Sequence, residues 1–171
     1  MDLLVSHLRG YYGRARDEIA RILRRFGDLG PGIEKTGTPG VCVVHTTLDS
    51  RQVVARCALL RESEPESFRF AIKWVPTDFW CGKDLDAIMQ VIREKVAPSI
   101  GEEQTWAMRV ARRGWDQYHT AEIIARLAPA IDRKVRLKAP DKLVRIDILA
   151  RVVAVSVLRP GEVFSVYAPA S

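Results

Sequence analysis

Residues Thr105–Leu149 read TWAMRVARRGWDQYHTAEIIARLAPAIDRKVRLKAPDKLVRIDIL, and their pattern decides the fold. Thr105–Ala111 alternates Trp106, Met108 and Val110 against Arg109, the period-two mark of a strand with one buried face. Arg112-Arg113-Gly114 breaks that alternation. His119–Ala130 then brings Ile124, Leu127, Ala128 and Ile131 to one side at helical spacing, and Pro129 is predicted to end the helix early. The basic run Arg133-Lys134-Val135-Arg136-Leu137-Lys138-Ala139-Pro140-Asp141-Lys142 follows. A second strand, Leu143–Leu149, sets Val144, Ile146 and Ile148 against Arg145 and Asp147. Cationic groups crowd the joints between these elements, where side chains can reach a ligand, and that placement points to a polyanion.

The flanks extend the same architecture. Upstream, Asp84 is predicted to cap a helix Leu85–Val96 that turns Leu85, Ile88, Met89, Ile92 and Val96 inward and closes at Pro98. Downstream, Val152–Leu158 is almost wholly apolar, as expected of a strand covered on both faces, and Gly161–Tyr167 can add an edge strand. The first 75 residues alternate differently. A strand at Asp2–His7 precedes a helix at Arg14–Phe26, whose Ala15, Ile19, Ile22, Leu23 and Phe26 share one face while Arg14, Arg16, Arg21, Arg24 and Arg25 share the other. Strands Ile33–Thr36 and Val41–Thr46 flank Gly37-Thr38-Pro39-Gly40. Asp49 with Gln52 forms a capping box for a helix reaching Arg61, and Ser67–Val75 alternates as a strand. The order βαββαβ is the split pattern of a ferredoxin-like domain. The expected fold is therefore α/β (α+β), with a ferredoxin-like domain over residues 1–76 and a second small α/β domain over 77–171.

Composition narrows the partner. The 171-residue chain carries a net charge of +6 and a pI near 9.5, which suits nucleic acid or another anionic surface. Its cations are 20 Arg and 7 Lys; guanidinium groups match phosphate forks and stack on bases, although genomic base composition or adaptation to heat explains such a ratio equally well. Charged residues interrupt every apolar run, so no membrane span is expected, and the N-terminus lacks the basic start of a signal peptide. Cys42, Cys57 and Cys81 share no ligand spacing and read as free thiols of a reducing cytoplasm, with neither a disulfide framework nor a zinc site.

Motifs for catalysis are sparse. Phosphate-cradling glycine loops and the nucleophile elbow are absent, and no cofactor or metal is expected. His7 and His45 sit at strand ends, where a structural role is the simpler account. His119 at a helix start, with Asp116 nearby, is the one alternative that would make the chain a small metal-independent enzyme. Asp84/Asp86 and Glu102/Glu103 read better as a helix cap and a solvated loop than as a metal or acid pair. The basic constellation is stronger. Arg112 and Arg113 end a strand ahead of a helix whose first turn presents free N–H groups. Trp115 and Tyr118 are placed either to stack on an unpaired base or, for Trp115, to anchor the loop on the core. Alternation sets Lys134, Arg136 and Lys138 on one side of an extended segment, with Val135 and Leu137 inward, at intervals of about 6.5 to 7 Å that approximate phosphate spacing along one strand.

At these residues the chain resembles the THUMP-domain family of RNA-modification proteins. The resemblance lies in Arg109-Val110-Ala111-Arg112-Arg113 before a helix holding Ala121-Glu122-Ile123-Ile124, then Val135-x-Leu137-Lys138-x-Pro140-Asp141, then Val144-Arg145-Ile146-Asp147-Ile148. The family usually has a small polar residue before Pro-Asp, where this chain has Ala139. The first 75 residues, including Pro39-Gly40-Val41 and Thr47-Leu48-Asp49, look like the ferredoxin-like domain that commonly precedes THUMP. The resemblance implies tRNA binding through the acceptor stem and 3′ CCA end. Relatives fuse these domains to a thiouridine synthetase, methyltransferase, deaminase or pseudouridine synthase, for which this chain has no room. It is most similar to the stand-alone archaeal and eukaryotic type that presents tRNA to a separate acetyltransferase making N4-acetylcytidine. The expectation is thus a cytoplasmic, non-catalytic tRNA adaptor with Arg112, Arg113, Lys134, Arg136, Lys138 and Lys142 as phosphate contacts. The alternatives are a small RNA-modifying enzyme in its own right, an RNA-binding subunit of another modification system (thiolation, methylation or pseudouridylation), and a protein-interaction module built on the ferredoxin-like sheet.

Overall fold

The computed structural model describes residues 1–168 and divides the chain into two units. The first comprises Met1–Thr77 together with the segment that starts at Gly161, and the second comprises Asp78–Pro160.

In the first unit the order is β1 (Asp2–His7), α1 (Tyr12–Phe26), β2 (Gly32–Lys35), β3 (Val41–His45), α2 (Ser50–Ser63) and β4 (Ala71–Thr77). The four strands form an antiparallel sheet in the order β4-β1-β3-β2, the ferredoxin-like arrangement. The apolar faces of the two helices close over it, so Leu3, Val5, Ile19, Leu23, Cys42, Val44, Cys57 and Trp74 are all fully buried. Helix α1 ends on Gly27 at φ 111°, with the Asp28 N–H bonded back to the Leu23 carbonyl, a left-handed stop that glycine adopts without a Cβ clash. Asp49 accepts from the Gln52 N–H at 2.9 Å and starts α2, as the capping pattern predicts.

The start of β4 departs from the sequence expectation. Alternation suggested a strand from Ser67, yet it begins at Ala71. Glu18 on α1 gives the reason. Its buried carboxylate accepts the backbone N–H groups of Arg69, Phe70 and Ala71 at 2.7, 3.0 and 2.7 Å, so these donors serve a side chain before the ladder begins. A second buried carboxylate, Asp28, accepts from the Thr46 hydroxyl at 2.6 Å and from the backbone N–H groups of Thr47 and Gly30. Burial pushes its pKa up, but those bonds outweigh that and hold it below the usual carboxylate value.

The segment Gly161–Tyr167, expected at the edge of the second domain, belongs to the first. Its short strand β10 (Phe164–Ser165) pairs antiparallel with β4 at Trp74 and Lys73, which makes the sheet five-stranded. Phe164 is buried with its ring 4.8 Å from that of Phe68. An aromatic slot between α2 and β4, rather than sequence proximity, recruits it.

The second unit runs β5 (Phe79–Gly82), α3 (Leu85–Val91), β6 (Thr105–Arg112), α4 (Thr120–Leu127), β7 (Lys134–Val135), β8 (Lys142–Ile148) and β9 (Val152–Leu158), with sheet order β5-β9-β8-β6-β7. Asp84 caps α3 through the Ala87 N–H at 2.8 Å; the helix widens into a π turn over Ile92–Val96 and tightens at Ala97–Ser99, where Pro98 stops it. Strand β6 pairs parallel with both β7 and β8. On one face Trp106, Val110, Val144, Ile146, Ile148, Val153 and Val155 pack with Ile88, Ile92, Val96 and Leu127 from the helices. Ile123, not Ile124, is the fully buried isoleucine of α4. On β9, Ala154 and Ser156 face opposite to Val153 and Val155, and all four are buried, as the unbroken apolar run suggests. The other face of β8 holds Arg145 and Asp147, 5% and 3% exposed, joined by two bonds of 2.7 and 3.0 Å.

Removing one member of a buried ion pair strands the other charge away from water, at a cost of about 3 to 5 kcal/mol. Asp147→Ala is therefore expected to lower the unfolding free energy of the second unit, measured by urea titration, by that amount, and a loss under about 1 kcal/mol would show that the pair is dispensable. Glu18→Ala leaves three backbone donors unsatisfied. It is expected to destabilise the first unit by about 2 to 3 kcal/mol, read as a shift in urea-induced loss of circular dichroism.

Candidate nucleic-acid interface

The parallel pairing of β6 with β8 distributes the six cationic candidates. Because both strands point the same way, the chain leaving the end of β6 must cross the sheet through α4 before β8 begins. Arg112 and Arg113 lie at the carboxyl end of β6. Lys134 pairs opposite Thr105 and Lys142 opposite Trp106, at the amino end. Six to seven residues of strand separate the two groups, about 20 Å at roughly 3.3 Å per residue. Lys134, Arg136, Lys138 and Lys142 come together along one segment; Arg112 and Arg113 do not join them.

At the amino end the basic segment is clamped at both ends. The buried Trp106 indole donates to the Arg133 carbonyl at 3.1 Å, and the Arg136 N–H donates to the Trp106 carbonyl at 2.9 Å. Asp141 accepts from the Thr105 N–H and hydroxyl at 2.8 and 3.0 Å while its own N–H donates to that hydroxyl. The bonds from the Thr105 N–H and hydroxyl, with the nearby Arg136, hold the Asp141 carboxyl below its usual pKa. Between the clamps Lys134, Arg136 and Lys138 are exposed, and among the described residues none forms an ion pair with a carboxylate. Ordering the backbone beforehand lowers the entropy lost when a ligand docks.

Two expectations for this segment are corrected. Val135 and Leu137 do not point inward: they are 55% and 84% exposed. The strand is only two residues long and lies at the sheet edge, so no layer covers it. The extended alternation also stops at Arg136, and the chain bends through Leu137–Ala139, so Lys138 is not in line with the other two. Ala139 turns that bend at φ 50°, the one left-handed non-glycine among the described residues. An asparagine or aspartate side chain tolerates this conformation better than alanine.

At the carboxyl end Arg112 reaches its own loop, donating to the Trp115 carbonyl at 2.6 Å, and the Arg113 N–H donates to the Ile148 carbonyl. Trp115 packs on the core and meets Tyr118 edge-on at 5.2 Å, and Tyr118 carries the Arg126 guanidinium over its ring at 4.9 Å. Both aromatics are half-buried, so the anchoring reading of Trp115 describes its contacts. Sequence reasoning missed two further cations here. Lys83 donates to the Gly114 and Ala150 carbonyls, tying the β6–α4 loop to the β8–β9 turn, where Arg151 is exposed. The signal for them was topological: β5, β8 and β6 end together only once the sheet order is known.

The enzymatic alternatives gain little geometry. His119 caps α4, its N–H donating to the Glu122 side chain at 3.3 Å, and the hydrogen bonds among the described residues include none between it and Asp116. No group of three or more His, Cys, Asp or Glu is arranged to hold a metal among the described residues. Burial pushes the Cys42 thiol up to about 12, the Cys81 thiol up to about 11 and the Cys57 thiol higher still, so these sulfurs stay protonated and unreactive at neutral pH. No helix of the described residues is long and apolar enough to cross a membrane.

This geometry has a family. Residues 82–158 match the model of the THUMP domain, and the second unit is a THUMP domain. No curated protein matches the sequence. Among solved structures, the chain is similar to PH1313 from Pyrococcus horikoshii (TM-score 0.61, 14% identity, covering 92% of this chain and 54% of that one). It is also similar to TrmN from Thermus thermophilus (TM-score 0.59, 15% identity, 94% and 47%). A third is a 4-thiouridine synthetase in complex with RNA and bound ATP (TM-score 0.52, 16% identity, 92% and 41%). At such identities the likeness is one of fold, and the chain spans about half the length of these proteins.

Replacing Ala139 with Asn is expected to relieve the left-handed strain and stabilise the second unit by about 0.5 to 1 kcal/mol. An unchanged or lowered urea midpoint would show that the bend carries no such strain.

Proposed function

We propose that this chain binds RNA through its THUMP domain, and that its ligand is the acceptor stem and 3′ CCA end of tRNA, held for a separate modifying enzyme. The observation that carries this reading is the clamped basic segment, whose exposed cations are pre-ordered at the amino end of β6. The similarity of the fold to an RNA-bound thiouridine synthetase supports RNA as the polyanion. The adaptor role, with N4-acetylcytidine formation by a separate acetyltransferase as the reaction served, rests on the resemblance read in the sequence. In that role the chain raises the effective concentration of substrate at the enzyme and does no bond chemistry itself.

Phosphate contacts make affinity electrostatic and salt-dependent. Changing Lys134, Arg136 and Lys138 to Glu is expected to leave the fold intact, weaken tRNA binding by at least about tenfold, and make the plot of log K against log salt shallower by about 2 to 3. An unchanged dissociation constant at low salt counts directly against the site. Full affinity for a tRNA lacking its 3′ CCA rejects the acceptor-end reading, and turnover of a tRNA nucleotide by the purified chain alone rejects the adaptor.

A further inference from the structure

One end of the first sheet holds a cleft that the THUMP site does not use. The β1–α1 loop and the β2–β3 turn meet there, and His7, Gly10, Tyr12, Lys35, Pro39 and Gly40 line a cavity of about 240 Å³. Sites for whole metabolites run to roughly 300–1,000 Å³, so this one is sized for a single residue. Its walls are held before any ligand arrives. The His7 N–H donates to the Gly40 carbonyl at 2.9 Å, joining loop to turn, and the Thr36 hydroxyl donates to the Val41 carbonyl at 2.9 Å across the base of the turn. Gly40 takes φ 79°, and a Cβ there would crowd the His7 carbonyl at 3.3 Å.

His7 and Lys35 give the cleft its chemistry. His7 is 7% exposed, and its Nδ1 donates to the Leu8 carbonyl at 2.9 Å. That bond leaves Nε2 as the acceptor when the ring is neutral, and among the described residues no donor reaches it. Lys35 is exposed, with Nζ 4.9 Å from the Tyr12 ring centroid, and among the described residues it forms no ion pair. No carboxylate among the described residues lines the cavity; Glu34, the neighbour of Lys35 on β2, meets His45 at 3.8 Å. Helix α1 begins here with neither a capping side chain nor an acid in its first turn, so its positive end adds to the Lys35 charge. The same loop exposes Leu8 and Tyr11, and tyrosine is a frequent anchor of protein interfaces.

We propose that this cleft docks an acidic segment of a partner protein. An Asp or Glu carboxylate of that segment pairs with Lys35, its methylene groups lie against Tyr12 and Pro39, and a peptide N–H donates to His7 Nε2. A phosphodiester suits the site poorly. It carries no donor for Nε2, and the cleft offers one ammonium where phosphate favours guanidinium forks. A peptide brings the donor, the acid and the apolar carbon together. In the adaptor reading above that partner is the modifying enzyme, while the preference of the cleft for an acidic peptide does not depend on RNA binding.

The test titrates the full chain with N-acetyl-glutamate N-methylamide, a blocked residue with peptide N–H groups and one carboxylate, followed by NMR. The His7 ring and Lys35 side-chain resonances are expected to move with a dissociation constant on the order of 1 mM. The glutamine analogue and acetate are each expected to bind at least about fivefold more weakly. A ten-residue peptide of alternating alanine and glutamate is expected to bind at least about fivefold tighter. Lys35→Gln is expected to weaken the blocked glutamate at least about fivefold, and Arg24→Gln, in the last turn of α1, to change it less than about twofold. Unmoved resonances, or equal binding of the glutamine analogue, overturn the carboxylate site. Equal binding of acetate, or no gain with the longer peptide, overturns a protein segment as the occupant. Affinity for tRNA is expected to be unchanged in Lys35→Gln; a loss of about tenfold, or tighter binding of cytidine monophosphate than of the blocked glutamate, gives the cleft to RNA and overturns the proposal. A wild-type chain that binds no tRNA rejects the earlier reading, and the peptide titration still decides this one.

Discussion

The parallel pairing of β6 with β8 is the constraint from which the second unit follows. Two adjacent parallel strands cannot be joined by a tight turn, so the intervening chain must climb one face of the sheet and return. That crossover is α4, and its apolar stripe of Ile123 and Leu127 exists to cover the strands it connects. The crossover also separates the cations of the connecting chain into two sets at the two ends of the strands. Any account of ligand binding by this unit begins from that division.

How the charges are housed differs sharply between positions. Arg145 is locked against Asp147 inside the sheet, where an ion pair is tolerated only because both partners are present and hydrogen-bonded. Lys134, Arg136 and Lys138 lie on the outside, with their backbone tied down by Trp106 and by the Thr105–Asp141 exchange. The first unit shows a related economy. Glu18 and Asp28 are buried carboxylates that satisfy clusters of donors from distant turns. Acidic groups here brace the fold, while many of the basic groups remain available at the surface.

Much was legible before any coordinates. The βαββαβ order, the caps at Asp49 and Asp84, the stop at Gly27 and the strand–helix–strand core of the THUMP unit all follow from short-range periodicity and local capping chemistry. The misreadings share a physical cause. The late start of β4 depends on Glu18, some fifty residues away; Val135 and Leu137 are exposed because β7 is an edge; and Phe164 joins the first sheet because an aromatic slot accepts it. Each of these is set by a partner distant in sequence.

By itself, the sequence determined most of the helices and strands though not β5, the apolar faces of α1, β6 and β8, and that cations concentrate at the joints, because all three are properties of neighbours along the chain. Only the tertiary structure decided which cations lie at the same end of the sheet. Lys134 and Lys142 are brought to the same end of the sheet, on either side of β6, by the register of β6 with its two parallel partners, and Arg112 is carried to the far end by the same register. Register and long-range hydrogen bonds are collective results of packing, and no local pattern encodes them.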